Sequence, residues 1–149
     1  MVQIQKLGAE RMKDIVAFDQ LCFPDDFWKQ EDWENLLRDE RALYYALLDS
    51  DRIVGDVFLY NWKGEKEYVK LMNIAVHPDY RKQGLGERLL NCVEEQMKEL
   101  GMGCCRGETR ASNLPMQRLF EKMGYRLDRI EENYYQNPDE SAYKYVLQF

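Results

Sequence analysis

The stretch MNIAVHPDYRKQGLGERLL, Met72 to Leu90, constrains the fold more than any other part of the chain. The β-favouring run from Tyr68 to Val76 is stopped by Pro78, which has no N–H to give to a sheet ladder. After a short loop, Arg81-x-x-Gly84-x-Gly86 opens the longest predicted helix, Gly84 to Leu100. There Leu85, Leu89, Leu90, Val93 and Met97 recur at intervals of three and four, so they share one face. Gly101 stands where a C-terminal cap is expected. A strand feeding an amphipathic helix in this way implies a sheet covered by helices.

The remaining segments fit around that unit. Val2 to Lys6 alternates as a half-buried strand, and Glu10 to Cys22 has helical spacing that ends before Pro24. The segment CFPDDFW reads as a loop, and Gln30 to Arg38 as a short helix. Ala42 to Leu48 and Ile53 to Tyr60 are predicted to form a hairpin through Asp49-Ser50-Asp51. Trp62 to Glu65 makes a turn before the Tyr68 strand. Met102 to Glu108 reads as a strand, and a helix capped by Ser112 or Asn113 runs to Met123, with Gly124 at its end. Strands at Tyr125 to Tyr134 and Ala142 to Leu147 flank the turn Gln136 to Asp139. The order β-α-α-β-β-β-α-β-α-β-β mixes hairpins with β-α-β units. It predicts an α/β chain with a mixed, mostly antiparallel sheet of about seven strands and helices on both faces. Nothing marks a boundary, so residues 1–149 are expected to form one domain.

Composition narrows the chemistry. With one histidine and four cysteines that lack C-x-x-C spacing, no metal site is expected and the thiols read as reduced. A net charge of −6 argues against a nucleic-acid partner, which needs a basic footprint, and would suit a cationic substrate. No apolar run approaches the ~20 residues of a membrane span, so no membrane partner is expected. The N-terminus lacks the basic-then-apolar order of a secretory signal, which predicts a cytoplasmic location.

Gly84 and Gly86 have no Cβ in the way of a ligand, and the free N–H groups of a helix's first turn favour an anion. A pyrophosphate would satisfy both features; a plain tight turn would also explain the glycines. The G-x-G-x-x-G order of a dinucleotide fold is absent, and no G-K-[ST] follows as in a Walker loop.

The strand, the R-x-x-G-x-G turn and the helix resemble the acetyl-coenzyme A signature of the GNAT superfamily of N-acetyltransferases. The resemblance continues through GETRASNLPMQRLFEKMGYRLDRIEENYY, Gly107 to Tyr135, which is similar to the bacterial ribosomal-protein alanine N-acetyltransferases. It implies acetyl-coenzyme A as co-substrate and a strand that splays from its neighbour. The backbone of Ile74, Ala75 and Val76 would then hold the pantetheine arm, while Arg81, Lys82, Gln83, Gly84, Leu85 and Gly86 cradle the pyrophosphate.

The same resemblance puts Glu108 at the position of the general base and Asn113 at a helix cap that also touches the coenzyme. An α-amino group with a pKa of about 7.7–8 is an easier nucleophile than lysine at about 10.4, so an N-terminal amine suits neutral pH, and the resemblance implies a protein N-terminus, a ribosomal one included, as the acceptor. One residue departs from the pattern. Phe120 aligns with the family's proton-donating tyrosine and is expected to face the coenzyme, yet it has no proton to give. Tyr125, Tyr134 and Tyr135 are candidate substitutes, although all three read more simply as strand-packing aromatics. The loop Phe23 to Trp28 and the segment Asn133 to Tyr135 resemble the walls of the acceptor site, with Asp25 and Asp26 able to attract an amine. His77 has no expected role in catalysis. The alternatives are a small-molecule amine acetyltransferase, acting on a polyamine, amino acid or aminoglycoside, and a non-catalytic acyl-coenzyme A sensor. A monomer is the simplest assembly; edge pairing through the C-terminal hairpin would give a dimer.

Overall fold

In a computed structural model, residues 2–149 are described. All eleven regular elements appear in the predicted order: β1 (Val2–Leu7), α1 (Met12–Cys22), α2 (Gln30–Leu37), β2 (Ala42–Asp49), β3 (Arg52–Tyr60), β4 (Tyr68–Val76), α3 (Leu85–Glu99), β5 (Cys104–Arg110), α4 (Leu114–Lys122), β6 (Arg126–Tyr135) and β7 (Glu140–Gln148). Boundaries moved for local reasons. The start of the first helix is tightened into a 3₁₀ turn at Ala9–Arg11. Strand β5 begins at Cys104 rather than Met102, because the N–H groups of Met102 and Gly103 are used by the carbonyls of Met97 and Lys66.

The seven strands form one sheet in the order β1-β2-β3-β4-β5-β7-β6, and only the β4–β5 pair is parallel. The β2–β3 hairpin turns on Ser50 and Asp51, both with positive φ (50° and 69°), as a tight turn matched to strand twist requires.

Alternation along the strands divides the core. Tyr44, Ala46, Phe58 and Tyr60 pack with Ile15, Phe18 and Trp33 beneath α1 and α2. Tyr45, Leu47, Val57, Leu59, Val69 and Leu71 point to the other face, under Leu89, Leu90, Val93 and Met97 of α3. Helices therefore cover both faces. Each fully buried Leu, Val or Phe side chain stabilises this arrangement by about 1.5–3 kcal/mol. Cys92, Cys104 and Cys105 are buried free thiols, and Cys22 is half-buried.

The feature that creates a site lies in the middle of the sheet. Strand β4 follows β3 from Lys70 to Val76 but pairs with β5 only at Tyr68, Val69 and Lys70. Met72 is an extra residue in β4, since Phe58 pairs with Asn73 and Leu59 with Leu71. A bulge of this kind bends its strand and increases local twist, which carries the end of β4 away. Strand β5 stays with β7 through Arg110. A wedge opens between the two parallel strands.

Candidate active site

Beyond Lys70, one edge of β4 has no strand partner among the described residues, so alternate backbone N–H and C=O groups face the wedge. A groove of about 360 Å³ runs from this edge, over the start of α3, to the start of α4. Ile74, Ala75 and Val76 form its first wall. Arg81, Lys82, Gly84, Leu85 and Gly86 line its centre, and Asn113 stands opposite. Nine of the eleven positions expected to touch the coenzyme therefore converge. Gln83 is absent from the lining, and so is Phe120.

The loop before α3 is shaped by two residues in the left-handed region, Lys82 (φ 63°) and Gly84 (φ 74°). Arg81 Nε is 3.4 Å from the Val76 carbonyl, which it caps as a donor at the end of β4. The first helical bond of α3 runs from the Arg88 N–H to the Gly84 carbonyl at 3.1 Å, and Gly84 supplies no side-chain cap. The N–H groups ahead of that bond have no partner within the helix and stand at the positive end of fifteen residues of α3, an arrangement that favours negative charge.

The two glycines do different jobs. A Cβ on Gly84 would meet nothing within 4 Å, so it would project into open groove. A Cβ on Gly86 would lie 3.0 Å from Leu119 Cδ2, so Gly86 also lets α3 and α4 approach each other. Reading both as ligand glycines missed that packing role.

Asn113 caps α4, its Oδ1 accepting the Met116 N–H at 3.2 Å. Tyr80, Glu87, Pro115, Met116 and Leu119 also line the groove and were missed; the Glu87 carboxylate is paired with Lys122 Nζ at 3.1 Å. The spacing of Pro115, Met116 and Leu119 on one face of α4 was the available signal.

Phe120 corrects an expectation. Its ring is 0% exposed, stacked on Tyr145 (centroids 4.9 Å, planes 22° apart) and beside Tyr125 at 5.0 Å. The space for it exists because residue 107 is glycine: a Cβ there would stand 2.7 Å from Phe120 Cζ. Phe120 is a core residue beneath β5, and it does not face the groove.

Glu108 lies on the opposite face of the sheet. Cys105 and Gly107 point toward α3 and α4, so Arg106 and Glu108 point away from them. Glu108 Oε1 is 2.8 Å from Lys70 Nζ, and Oε2 is 3.6 Å from Lys144 Nζ. The Tyr134 hydroxyl donates to Oε1 at 2.9 Å. Burial pushes the Glu108 carboxyl up, but Lys70, Tyr134 and Lys144 outweigh it and hold the pKa below its ordinary value. For Lys70, burial works against the charge, yet the bond to Glu108 leaves its pKa raised. Burial and then Glu108 raise Tyr134, which stays protonated. Of the three tyrosines considered, Tyr125 is buried in the core and Tyr135 lies under Arg110, so Tyr134 is the one whose hydroxyl reaches Glu108.

The Phe23 to Trp28 loop is tied down near this wedge. Asp19 is buried and accepts bonds from the Trp28 N–H (2.8 Å), Trp33 Nε1 (3.1 Å) and Asn73 Nδ2 of β4 (3.3 Å). Asp25 and Asp26 are exposed. His77 follows β4 and accepts the Asp79 N–H at Nδ1, a capping role. Among the described residues, no group of three or more His, Cys, Asp or Glu is placed to hold a metal. Among the same residues, no helix is long and apolar enough to cross a membrane.

Comparison with known proteins agrees with this geometry. The family model "Acetyltransferase (GNAT) family" matches residues 9–125. The [ribosomal protein bS18]-alanine N-acetyltransferase of Escherichia coli K12 is 41% identical over 69 residues, 46% of this chain and 47% of that protein. The match thus spans about half the length of that curated relative. The putative [ribosomal protein bS18]-alanine N-acetyltransferase of Bacillus subtilis is 27% identical over 139 residues, 93% of this chain and 90% of its own. The crystal structure of the ribosomal-protein-S18-alanine N-acetyltransferase from E. coli superposes with a TM-score of 0.89 at 26% identity, covering 99% of this chain and 94% of that one. Arabidopsis thaliana NAA60 in complex with acetyl-CoA shares the fold, with a TM-score of 0.87 at 17% identity over 100% and 99% of the two chains. With a family match over most of its length and a wedge, glycine turn and groove to fit, this chain belongs to the GNAT acetyltransferase family.

Proposed function

We propose that the chain is an acetyl-coenzyme A-dependent N-acetyltransferase acting on a protein N-terminal amine, of the kind named for its ribosomal-protein relatives. One observation carries the reading: the groove over the start of α3 lies on the α3–α4 face, Glu108 lies on the other, and the β4–β5 wedge joins them. The unpaired edge of β4 suits an amide-bearing arm laid alongside it as an added strand. The first turn of α3 suits a pyrophosphate. The coenzyme, when bound, supplies a thioester activated for transfer.

The residues around Glu108 then have defined tasks. Glu108 takes the proton of the acceptor ammonium, directly or through water. Lys70 and Lys144 lower the affinity of a nearby amine for its proton, because a third cation beside them is disfavoured. The free amine attacks the thioester carbonyl; the C–N bond forms, the C–S bond breaks, the nitrogen gives its surplus proton to water, and the thiolate takes a proton from water. β4 backbone N–H groups facing the wedge can steady the developing oxyanion.

The surroundings of Glu108 are open and rich in lysine and arginine, which suits a peptide and disfavours a polyamine or aminoglycoside. Phe120, whose lack of a proton to donate would favour a sensor over an enzyme, is packed in the core away from the groove and carries no such argument.

The test follows coenzyme thiol release with peptides bearing free or blocked N-termini and with polyamines. Release is expected with free-amine peptides and lost on blocking. Glu108→Gln is expected to lower the rate by about 10²–10⁴-fold near neutral pH, and by less at high pH where the amine is already deprotonated. Release driven by polyamines but not peptides would overturn the acceptor assignment, and coenzyme binding without release on any amine would overturn the enzyme.

A further inference from the structure

We infer that the acceptor carries a carboxylate side chain in its second or third position, read by Arg106. This rests on the acceptor reading above. Glu108 forms one end of a trough of about 320 Å³ on the uncovered face of β4, β5, β7 and β6. Five cations line it, Lys63, Lys70, Arg106, Arg129 and Lys144, against three carboxylates.

Most of these charges are already matched. Lys70 and Lys144 hold Glu108, Lys63 is 3.1 Å from Glu67, and Arg129 is 3.8 Å from Glu131. Arg106 differs. Its guanidinium lies 5.2 Å over the Tyr68 ring and, among the described residues, has no carboxylate partner. Arg106 and Glu108 are two residues apart on one strand, so they share a face about 7 Å apart. An extended peptide with its amine at Glu108 advances about 3.3 Å per residue, which brings its second or third side chain to Arg106. The planar fork of arginine matches a carboxylate in two-point contact, and the Tyr68 face holds that fork in place.

Charge also decides sign. A substrate that is cationic throughout would meet repulsion from the lysines; one with its own carboxylate would not. The overall charge of −6, read from composition as favouring a cationic substrate, is reversed locally at this trough.

The experiment measures binding of hexapeptides that begin with Ala and carry Glu, Gln or Lys at position two, and of a second set with the same change at position three, to the coenzyme A-loaded protein by calorimetry, with turnover recorded in parallel. Wild type is expected to favour Glu over Lys at one of the two positions by about threefold or more, the scale of one exposed ion pair. Arg106→Glu should invert the order, with the coenzyme affinity retained as a check on folding. Equal affinities at both positions in wild type, a preference for Lys at both, or an unchanged order in R106E would overturn the inference. Because binding is read separately, absent turnover with the expected binding order would count against the enzyme assignment alone.

Discussion

Lys70 Nζ and Glu108 Oε1 meet at 2.8 Å where β4 and β5 part, so the last paired residue of β4 holds the carboxylate assigned as base. That contact links pH dependence to geometry. Glu108 titrates below its ordinary value of 4.5 in the folded chain, so it stays ionised into acid. Lys70→Met removes the second-largest influence on it, and burial then raises its pKa. The acid limb of kcat/KM is expected to shift upward in K70M, measured as a pH–rate profile; an unmoved limb would separate Lys70 from the base. Stability follows the same sign. The depressed pKa stabilises the fold above the unfolded value, and that contribution is lost as pH falls through the folded one.

The glycine turn predicts two different phenotypes. Gly84→Val places a branched side chain in open groove at φ 74°, so coenzyme affinity is expected to fall steeply, with backbone strain costing about 1–3 kcal/mol. Gly86→Ala presses a methyl on Leu119 at 3.0 Å and is expected to cost about 1 kcal/mol, relieved in the G86A/L119A pair. Coenzyme titration and denaturant unfolding of each variant check both.

Phe120 and Gly107 form a packing pair. Gly107→Ala is expected to destabilise by about 1–3 kcal/mol in denaturant unfolding, because its methyl meets a ring wedged against Tyr145. Phe120→Tyr adds its hydroxyl at the same Cζ, toward the backbone of Gly107, and should lower stability without raising turnover. A faster F120Y enzyme would return this position to the active site.

Asp56 is fully buried, and burial pushes its pKa up to about 7 against an ordinary 3.8; the neighbouring charge of Asp19 adds to this while the Tyr44 hydroxyl bond opposes it. Its Oδ1 has no partner among the described residues. The folded chain therefore binds a proton more tightly than the unfolded one, so this group's contribution weakens as pH rises from about 4 to 7. Asp56→Asn is expected to flatten that slope and to be more stable than wild type at pH 8, read from unfolding midpoints. A lower midpoint would show that the ionised carboxylate is needed.

The architecture was legible because periodicity and punctuation agreed at every element. Pro78, Gly101 and Gly124 stopped elements where a missing N–H or a positive φ demanded it, and the alternation in β2 and β3 announced two covered faces. The glycine turn that opens the groove at the head of α3 was legible from glycine spacing and the family resemblance together. The Lys70–Glu108–Tyr134 cluster was not, since it joins residues 26 and 38 positions apart through strand register. Phe120 was misplaced because a helix position gives a direction, whereas Gly107 and Tyr145, brought from other strands, decide what fills it.

The most direct test of the central claim is a calorimetric titration of the purified protein with acetyl-coenzyme A, repeated with Gly84→Val. The account predicts saturable binding at one site per chain, lost or strongly weakened in G84V while the fold survives. Absent binding in the wild type, or equal binding in both proteins, would contradict the assignment of the groove.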